Sequence, residues 1–303
     1  MTNYFFALEA RGTRLKFARR WGRVMMALSV AGTIGLTACE EALEVTDPDV
    51  IDQGNVTSPE AAEGLRVGAF ARLANMTSGG ESTLHFPGLL VDEWRSGDTF
   101  VQRDETDKRT LKEEVTVVSG MWYDVNRART AANQAIVALN EFPPVATASL
   151  PQNQSSIGQM FWLRGFAETA IAENYCNGTP ISAFDLKGSV ITYGNPESNV
   201  QVYNRAIASF DSGAAAAGAT LRGDTVRILA RIGKARVLMN LGRFNDAATV
   251  LSAAPAIPSE FRFRNFHQEA VTGTATNQIW ALNNSGRRYV VGDRDGGVGL
   301  NFA

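Results

Sequence analysis

The sequence predicts a mainly α protein with long loops and few short strands. Three observations carry this. Apolar residues recur at helical spacing in segment after segment, Ser-Pro and Gly-Gly pairs punctuate those segments as starts and stops, and strand-like alternation is confined to short pieces after Phe261. With 303 residues and 45% hydrophobic content, the chain can bury a substantial core.

The elements follow in chain order. Residues 1–38 hold six basic residues, Arg11, Arg14, Lys16, Arg19, Arg20 and Arg23, against the single acid Glu9. Thirteen largely apolar residues, VMMALSVAGTIGL, come next, and then Thr37-Ala38-Cys39. Charged stretch, short apolar stretch and small-residue ending have the order of a secretory signal. Thirteen residues rise only about 20 Å as a helix, short of a hydrocarbon core of roughly 30 Å. The ending Leu36-Thr37-Ala38-Cys39 resembles a bacterial lipobox, which makes Cys39 the acylated first residue of the mature chain; the alternative is a chance cysteine after an ordinary signal. Full acylation supplies more than one chain, enough for stable anchoring without a membrane span. The whole chain has 29 basic and 31 acidic residues, so loss of 1–38 leaves 23 and 30, a net charge of -7. That balance excludes a nucleic-acid partner, whose binding rests on Lys and Arg neutralising phosphates.

Residues 39–57 are acidic and turn-rich, with Asp47-Pro48 enforcing extension, and read as a tether. Ser58-Pro59 then serves as N-cap and first helical residue, with Ala62, Leu65, Ala69 and Leu73 behind it and Gly79-Gly80 as the stop. In SGMWYDVNRARTAANQAIVALN, the residues Trp122, Val125, Ala128, Ala132, Ile136 and Leu139 form an apolar stripe, and Asn126, Arg129 and Asn133 a polar seam beside it. A loop is expected from Pro143-Pro144 to Ser156. The following helix, IGQMFWLRGFAETAIAENY, is apolar nearly all round and should lie in the middle of a bundle. CNGTPISAFDLKGSVITYGNPES reads as a loop and NVQVYNRAIASFDSGAAAA as a helix.

Over about 225–254, Leu229, Ile232, Ala235 and Leu238 stripe one helix, Leu241-Gly242 makes a turn, and Phe244, Ala247, Ala248 and Leu251 stripe a second helix before Pro255. Small residues at the crossing, a turn glycine, an aromatic two residues later and a closing proline are what tetratricopeptide helix pairs use; an unrelated helical hairpin is the alternative. FRFRNF and NQIWALNN read as brief strands or extended loops, and the ending VGLNFA, with no cap or completed element, reads as that of a fragment.

Chemistry-bearing groups are few. His85 and His267 are far apart with no ligand spacing around them, so no metal site is expected. Asp293 and Asp295 in GDRDGG lack the spacing and closing Glu of an EF-hand and read as a solvated turn. Cys176 has no histidine within thirty residues and reads as a small buried or semi-buried thiol. Asp92 and Glu93 are adjacent acids on a loop, open to glycoside chemistry only if opposed across a cleft. No nucleophile elbow, phosphate loop or dinucleotide fingerprint is present, so neither a catalytic residue nor a cofactor is assigned. Trp94 lies in LLVDEWRSGDTF among Asp92, Arg95, Ser96, Asp98 and Thr99. Its ring is either a platform for a sugar, with Arg95 and Asp98 fixing hydroxyls, or a core residue under the loop. Trp280 and Tyr289 are weaker candidates, and Trp280, in an alternating piece, is expected to be buried.

The lipobox with acids after Cys39, SGMWYDVNRARTAANQAI, WLRGFAETAIAENYCNGTPIS, ARIGKARVLMNLGRFNDAATVL and NQIWALNN, in this order, resemble the SusD/RagB family of nutrient-binding outer-membrane lipoproteins. Arg164, Tyr175, Gly178 and Pro180 stand where that family has its helix arginine and its aromatic-glycine-proline ending. The resemblance covers essentially the whole mature chain. It implies a SusD-like helical fold over 58–303 with tetratricopeptide-like pairs and an incomplete C-terminal lobe, anchored by lipid at the outer membrane and facing outward. It further implies a non-enzymatic role, capturing oligosaccharides or other nutrients for a SusC-like TonB-dependent transporter, with Trp94, Arg95 and Asp98 as positional candidates for the ligand. Two other classes stay open: a lipid-anchored tetratricopeptide-type scaffold of the cell envelope, and a secreted hydrolase using acids such as Asp92 or Glu93.

Overall fold

In the computed structural model, Ser58 opens the first helix as its sequence dictates: its hydroxyl accepts from the Ala61 amide at 3.2 Å, with Pro59 at the first helical position. The structure describes residues 56–143, 153–184, 190–267 and 276–292. Cys39, the signal sequence, the tether up to Asn55 and the Asp293/Asp295 turn lie outside the described residues.

Helix α1, Pro59–Ser78, buries Ala62, Ala69 and Leu73 and stops at Gly79, as predicted. A short helix α2, Val101–Asp107, precedes α3, Thr116–Glu141, which buries Val125, Ala128, Ala132, Ile136 and Leu139 of the expected stripe. Helix α4, Asn153–Asn174, starts inside the segment read as loop. Its residues Met160, Trp162, Leu163, Ala167, Ala170 and Ile171 are buried, and it packs against α1, α3, α5 (Asn199–Ala216) and α6 (Leu221–Asn240). That central place is what an all-round apolar helix requires.

Helix α5 opens with a reciprocal cap in which the Ser198 hydroxyl accepts from the Gln201 amide and the Gln201 side chain accepts from the Ser198 amide. Its Phe210 is clamped between neighbours. A Cβ at Gly165 of α4 would lie 2.9 Å from Phe210 Cε1, and one at Gly233 of α6 2.4 Å from Phe210 Cζ. Glycine at both positions lets the backbones of α4 and α6 close on one aromatic ring.

Helices α6 and α7 (Phe244–Ser252) form the predicted hairpin, with Gly242 in the left-handed conformation at φ 72° in the turn. The predicted stripes need correction. Helix α6 buries two faces, Leu229, Ala230 and Val237 toward the bundle and Ala235 with Leu238 toward Ala247 of α7, and Ile232 between them is exposed. On α7 only Ala247 is buried; Ala248 and Leu251 are exposed, as is Phe244 at 65%. Among the described residues α7 packs chiefly on α6, where Ala247 is buried against Ala235 and Leu238 and Val250 is partly buried beside them.

Among the described residues strand content is small, in three two-stranded antiparallel ladders. The segment read as a loop after α4 contains β2 (Thr179–Pro180) paired with β5 (Pro196–Glu197) and β3 (Ala183–Phe184) paired with β4 (Ile191–Thr192). β1 (Arg95–Ser96) pairs with β6 (Tyr289–Val290). Residues 261–267 carry no regular structure, in line with an extended loop, and Phe263 meets Trp162 edge-on at 4.9 Å. NQIWALNN is not a strand. Asn277 caps a helical turn, Gln278–Trp280, by accepting from the Trp280 amide, and a wider turn over Ala281–Ser285 continues it. That helical path leaves Trp280 46% exposed, against expectation. Cys176 is also exposed, because α4 ends at Asn174 and the thiol falls in the surface turn beyond it.

Among the described residues two larger apolar clusters result, beside the small contact of Ala235 and Leu238 with Ala247. The larger is the bundle core shared by α1, α3, α4, α5 and α6. The smaller joins Phe86 and Leu89 to Val115, Val117 and Met121 at the start of α3 and to Leu282 and Tyr289, with Trp94 packed against it. Helix α3 belongs to both.

Candidate functional site

The loop that carries Trp94 is built from its own backbone. After α1, the amide of Thr83 returns to the Met76 carbonyl at 3.0 Å and a 3-10 turn over Phe86–Leu89 reverses the chain. The Gly88 carbonyl then accepts from the amides of Glu93, at 3.0 Å, and Trp94, at 3.2 Å. Asp92 takes φ 60° inside this closure, a conformation that short polar side chains tolerate best after glycine. A Cβ at Gly88 would lie 2.4 Å from Trp94 Cδ1, so the missing side chain is what lets the indole lie against the turn.

Beyond Trp94 the chain enters β1, where Ser96 stands opposite Tyr289 and Arg95 opposite Val290. Period-two alternation turns Trp94 and Ser96 to one face and Arg95 to the other. Arg95 is exposed. Asp98 is engaged. One carboxylate oxygen accepts from the Phe100 amide at 3.0 Å, and the other from Arg103 Nη1 at 2.8 Å with Arg288 Nε at 3.6 Å. Asp92 pairs with Arg109 at 2.7 Å. The structure thus brings the three sequence-chosen residues into one loop without converging them on one point: Trp94 is half-buried, Arg95 faces solvent, and Asp98 is bound into a charged cluster.

That cluster was not legible beforehand. Arg103 is buried, donates from Nε to Glu81 at 2.7 Å, and lies 4.7 Å from the Phe100 ring centre and 5.2 Å from that of Tyr289. Burial works against its charge, but the bonds to Glu81 overcome this and raise its pKa. The Tyr289 hydroxyl donates to Glu81, and burial, then the Glu81 charge, push it well above the ordinary phenol range. His85 is fully buried, stacks on Tyr289 with centroids 3.6 Å apart, and donates from Nε2 to Asn283 Oδ1 at 2.9 Å. Burial lowers its pKa to about 4, so the ring is neutral near pH 7 and its Nδ1 is an acceptor. Among the described residues Nδ1 has no partner, nor have the buried indole Nε1 of Trp94, whose ring meets His85 edge-on at 5.6 Å, or the Ser96 hydroxyl.

Chemically this is an aromatic wall with unspent hydrogen-bonding groups beside an ion-paired nest. Asp98 and Tyr289 were the members of the nest weighed as site candidates; Glu81 meets Tyr289 across 208 residues and His85 meets Asn283 across 198, which no local motif records. Among the described residues no group of three or more His, Cys, Asp or Glu is placed to hold a metal ion, and no helix is long and apolar enough to cross a membrane.

No family model matches the chain, and no curated protein matches its sequence. Among solved structures it is similar to a SusD superfamily protein from Bacteroides vulgatus ATCC 8482, at 15% identity and a TM-score of 0.51, over 66% of this chain and 44% of that one. A SusD homolog from Bacteroides thetaiotaomicron VPI-5482 aligns at 11% identity and a TM-score of 0.49, over 66% of this chain and 41% of that one. The match therefore spans less than half the length of these neighbours. At such identity the likeness speaks for architecture, and with the helix order described above it shows that this chain has a mainly α, SusD-like fold.

Proposed function

We propose that the protein is a lipid-anchored, non-enzymatic capture protein of the outer-membrane surface. It takes up nutrients of the oligosaccharide class and passes them to a SusC-like TonB-dependent transporter. The observation that carries this reading is the SusD-like helical architecture; the lipobox ending at Cys39 supports it. Trp94, Arg95 and Asp98 are the proposed ligand loop. The partly exposed indole supplies an apolar face for a sugar ring, Arg95 a solvent-facing donor, and Asp98, through Arg103, holds the loop in shape.

The test is affinity purification of the full chain from gently solubilised outer membrane, with mass spectrometry of what accompanies it, followed by a glycan screen. Recovery of a TonB-dependent β-barrel is expected. So is an affinity loss of about tenfold in Trp94→Ala, and in Arg95→Ala without a change in melting temperature, tenfold being ~1.4 kcal/mol. Arg95→Ala separates lost binding from a collapsed loop, because Arg95 is exposed. Recovery of only periplasmic assembly or peptidoglycan-associated proteins would overturn the reading in favour of an envelope scaffold.

A further inference from the structure

The polar seam of α3 meets a matching seam on α4. Asn133 Oδ1 accepts from Arg164 Nη1 at 2.9 Å, Arg164 Nε donates to Ser209 Oγ at 3.0 Å, and Ser209 Oγ donates to Glu168 Oε2 at 2.7 Å. Arg129, about one turn before Asn133, is 6% exposed. Its Nη2 donates to the Ser182 carbonyl just before β3, but its buried Nε has no partner among the described residues.

Among the described residues the charge balance around Arg129 does not close. The charged groups there that act on it are Glu168 and Glu197 on one side and Arg164 and Arg205 on the other, so these neighbours cancel and its own charge is left over. Glu197 is already engaged with Arg205 through bonds of 2.6 and 2.5 Å. Burial is the largest influence on Arg129 and Arg164 and pulls both below their ordinary pKa; it pushes the Glu168 carboxyl up, weakening the one carboxylate between them. A guanidinium cannot escape by losing its proton, and an uncompensated buried cation is among the costliest arrangements a core can hold. Water at Nε would accept the hydrogen bond and bring no charge. An anion does both.

From this geometry we infer that Arg129 and Arg164 hold a small monovalent anion of chloride size in the seam between α3 and α4, accepted at Arg129 Nε beneath the Ser182 carbonyl. The anion steadies the contact of Arg129 with Ser182, just before β3. The site is separate from the Trp94 loop, and the assignment stands whether or not the protein captures nutrients.

Bromide is the probe. The full chain is melted in gluconate buffer with bromide substituted stepwise at constant ionic strength, and crystals grown in bromide are examined for anomalous scattering. The expected result is a saturable rise in melting temperature of about 3 °C, absent in Arg129→Met, and an anomalous peak within about 3.5 Å of Arg129 Nε. A flat melting profile with no peak at Arg129 overturns the assignment. A rise that persists in Arg129→Met places the anion elsewhere and overturns it equally. Should Arg129→Met fail to fold, the wild-type peak decides.

Discussion

His85 shows how one side chain fixes a local pH response. It is fully buried, its Nε2 proton is committed to Asn283 at 2.9 Å, and the Arg103 guanidinium stands close enough to oppose a second positive charge. Burial comes first among these causes, and together they hold its pKa near 4 against an ordinary value of 6.5. The unfolded chain therefore binds the proton more readily than the folded one. Stability from His85 is complete above about pH 6.5 and is lost as pH falls toward 4. A shift of this size corresponds to about 3 kcal/mol at most. Chemical denaturation at pH 7 and pH 4.5 should show the wild type losing about 2 kcal/mol more than His85→Phe, an aromatic that stays neutral throughout. Equal pH slopes in the two proteins would mean that the imidazole is not buried as described.

At the scale of elements, α7 is held by a side chain from its neighbour. Arg231 of α6 donates to the carbonyls of Val250 at 3.1 Å, Leu251 at 2.7 Å and Pro255 at 2.6 Å, and also to that of Ala253. These are the acceptors that a helix leaves open at its C-terminal end, and a cation is the right charge for that end. With only Ala247 buried, apolar packing contributes little to α7, so the guanidinium fork does most of the fastening. Arg231→Gln should cost about 1–3 kcal/mol locally and raise amide exchange over α7 while leaving α4 protected. Phe244→Ala, at a ring 65% exposed, should leave exchange in α7 nearly unchanged. If both variants behave alike, the helix is held by packing and not by its cap.

Over the whole molecule, legibility followed the distance over which a cause acts. The helices were readable because 3.6-residue periodicity and caps such as Ser58 and Gly79 are local, and α4 declared its central place by being apolar on every side. The stripe of α7 misled because periodicity says that a face is apolar, not that another element covers it, and Trp280 misled because two-residue alternation over a short piece also fits a capped turn. The smaller lobe was the least readable part: its nest joins Glu81 to Tyr289 and His85 to Asn283, and neither pair leaves a spacing signature. This division has a mechanical consequence. Among the described residues the two larger apolar clusters have only α3 in common, so the lobe of 82–107 and 276–292 can open while the bundle stays folded. Leu89 of the lobe and Leu163 of the bundle are both fully buried, and truncating either to alanine should cost about 2–5 kcal/mol in its own cluster. Leu163→Ala should therefore lower hydrogen-exchange protection throughout the described residues, since loss of the bundle removes the base on which the lobe rests. Leu89→Ala should lower it in the lobe alone and leave α4 and α5 at wild-type protection. A matching loss in α4 with Leu89→Ala would show that lobe and bundle unfold as one unit, and a ligand held at Trp94 would then stabilise the whole chain rather than its own loop.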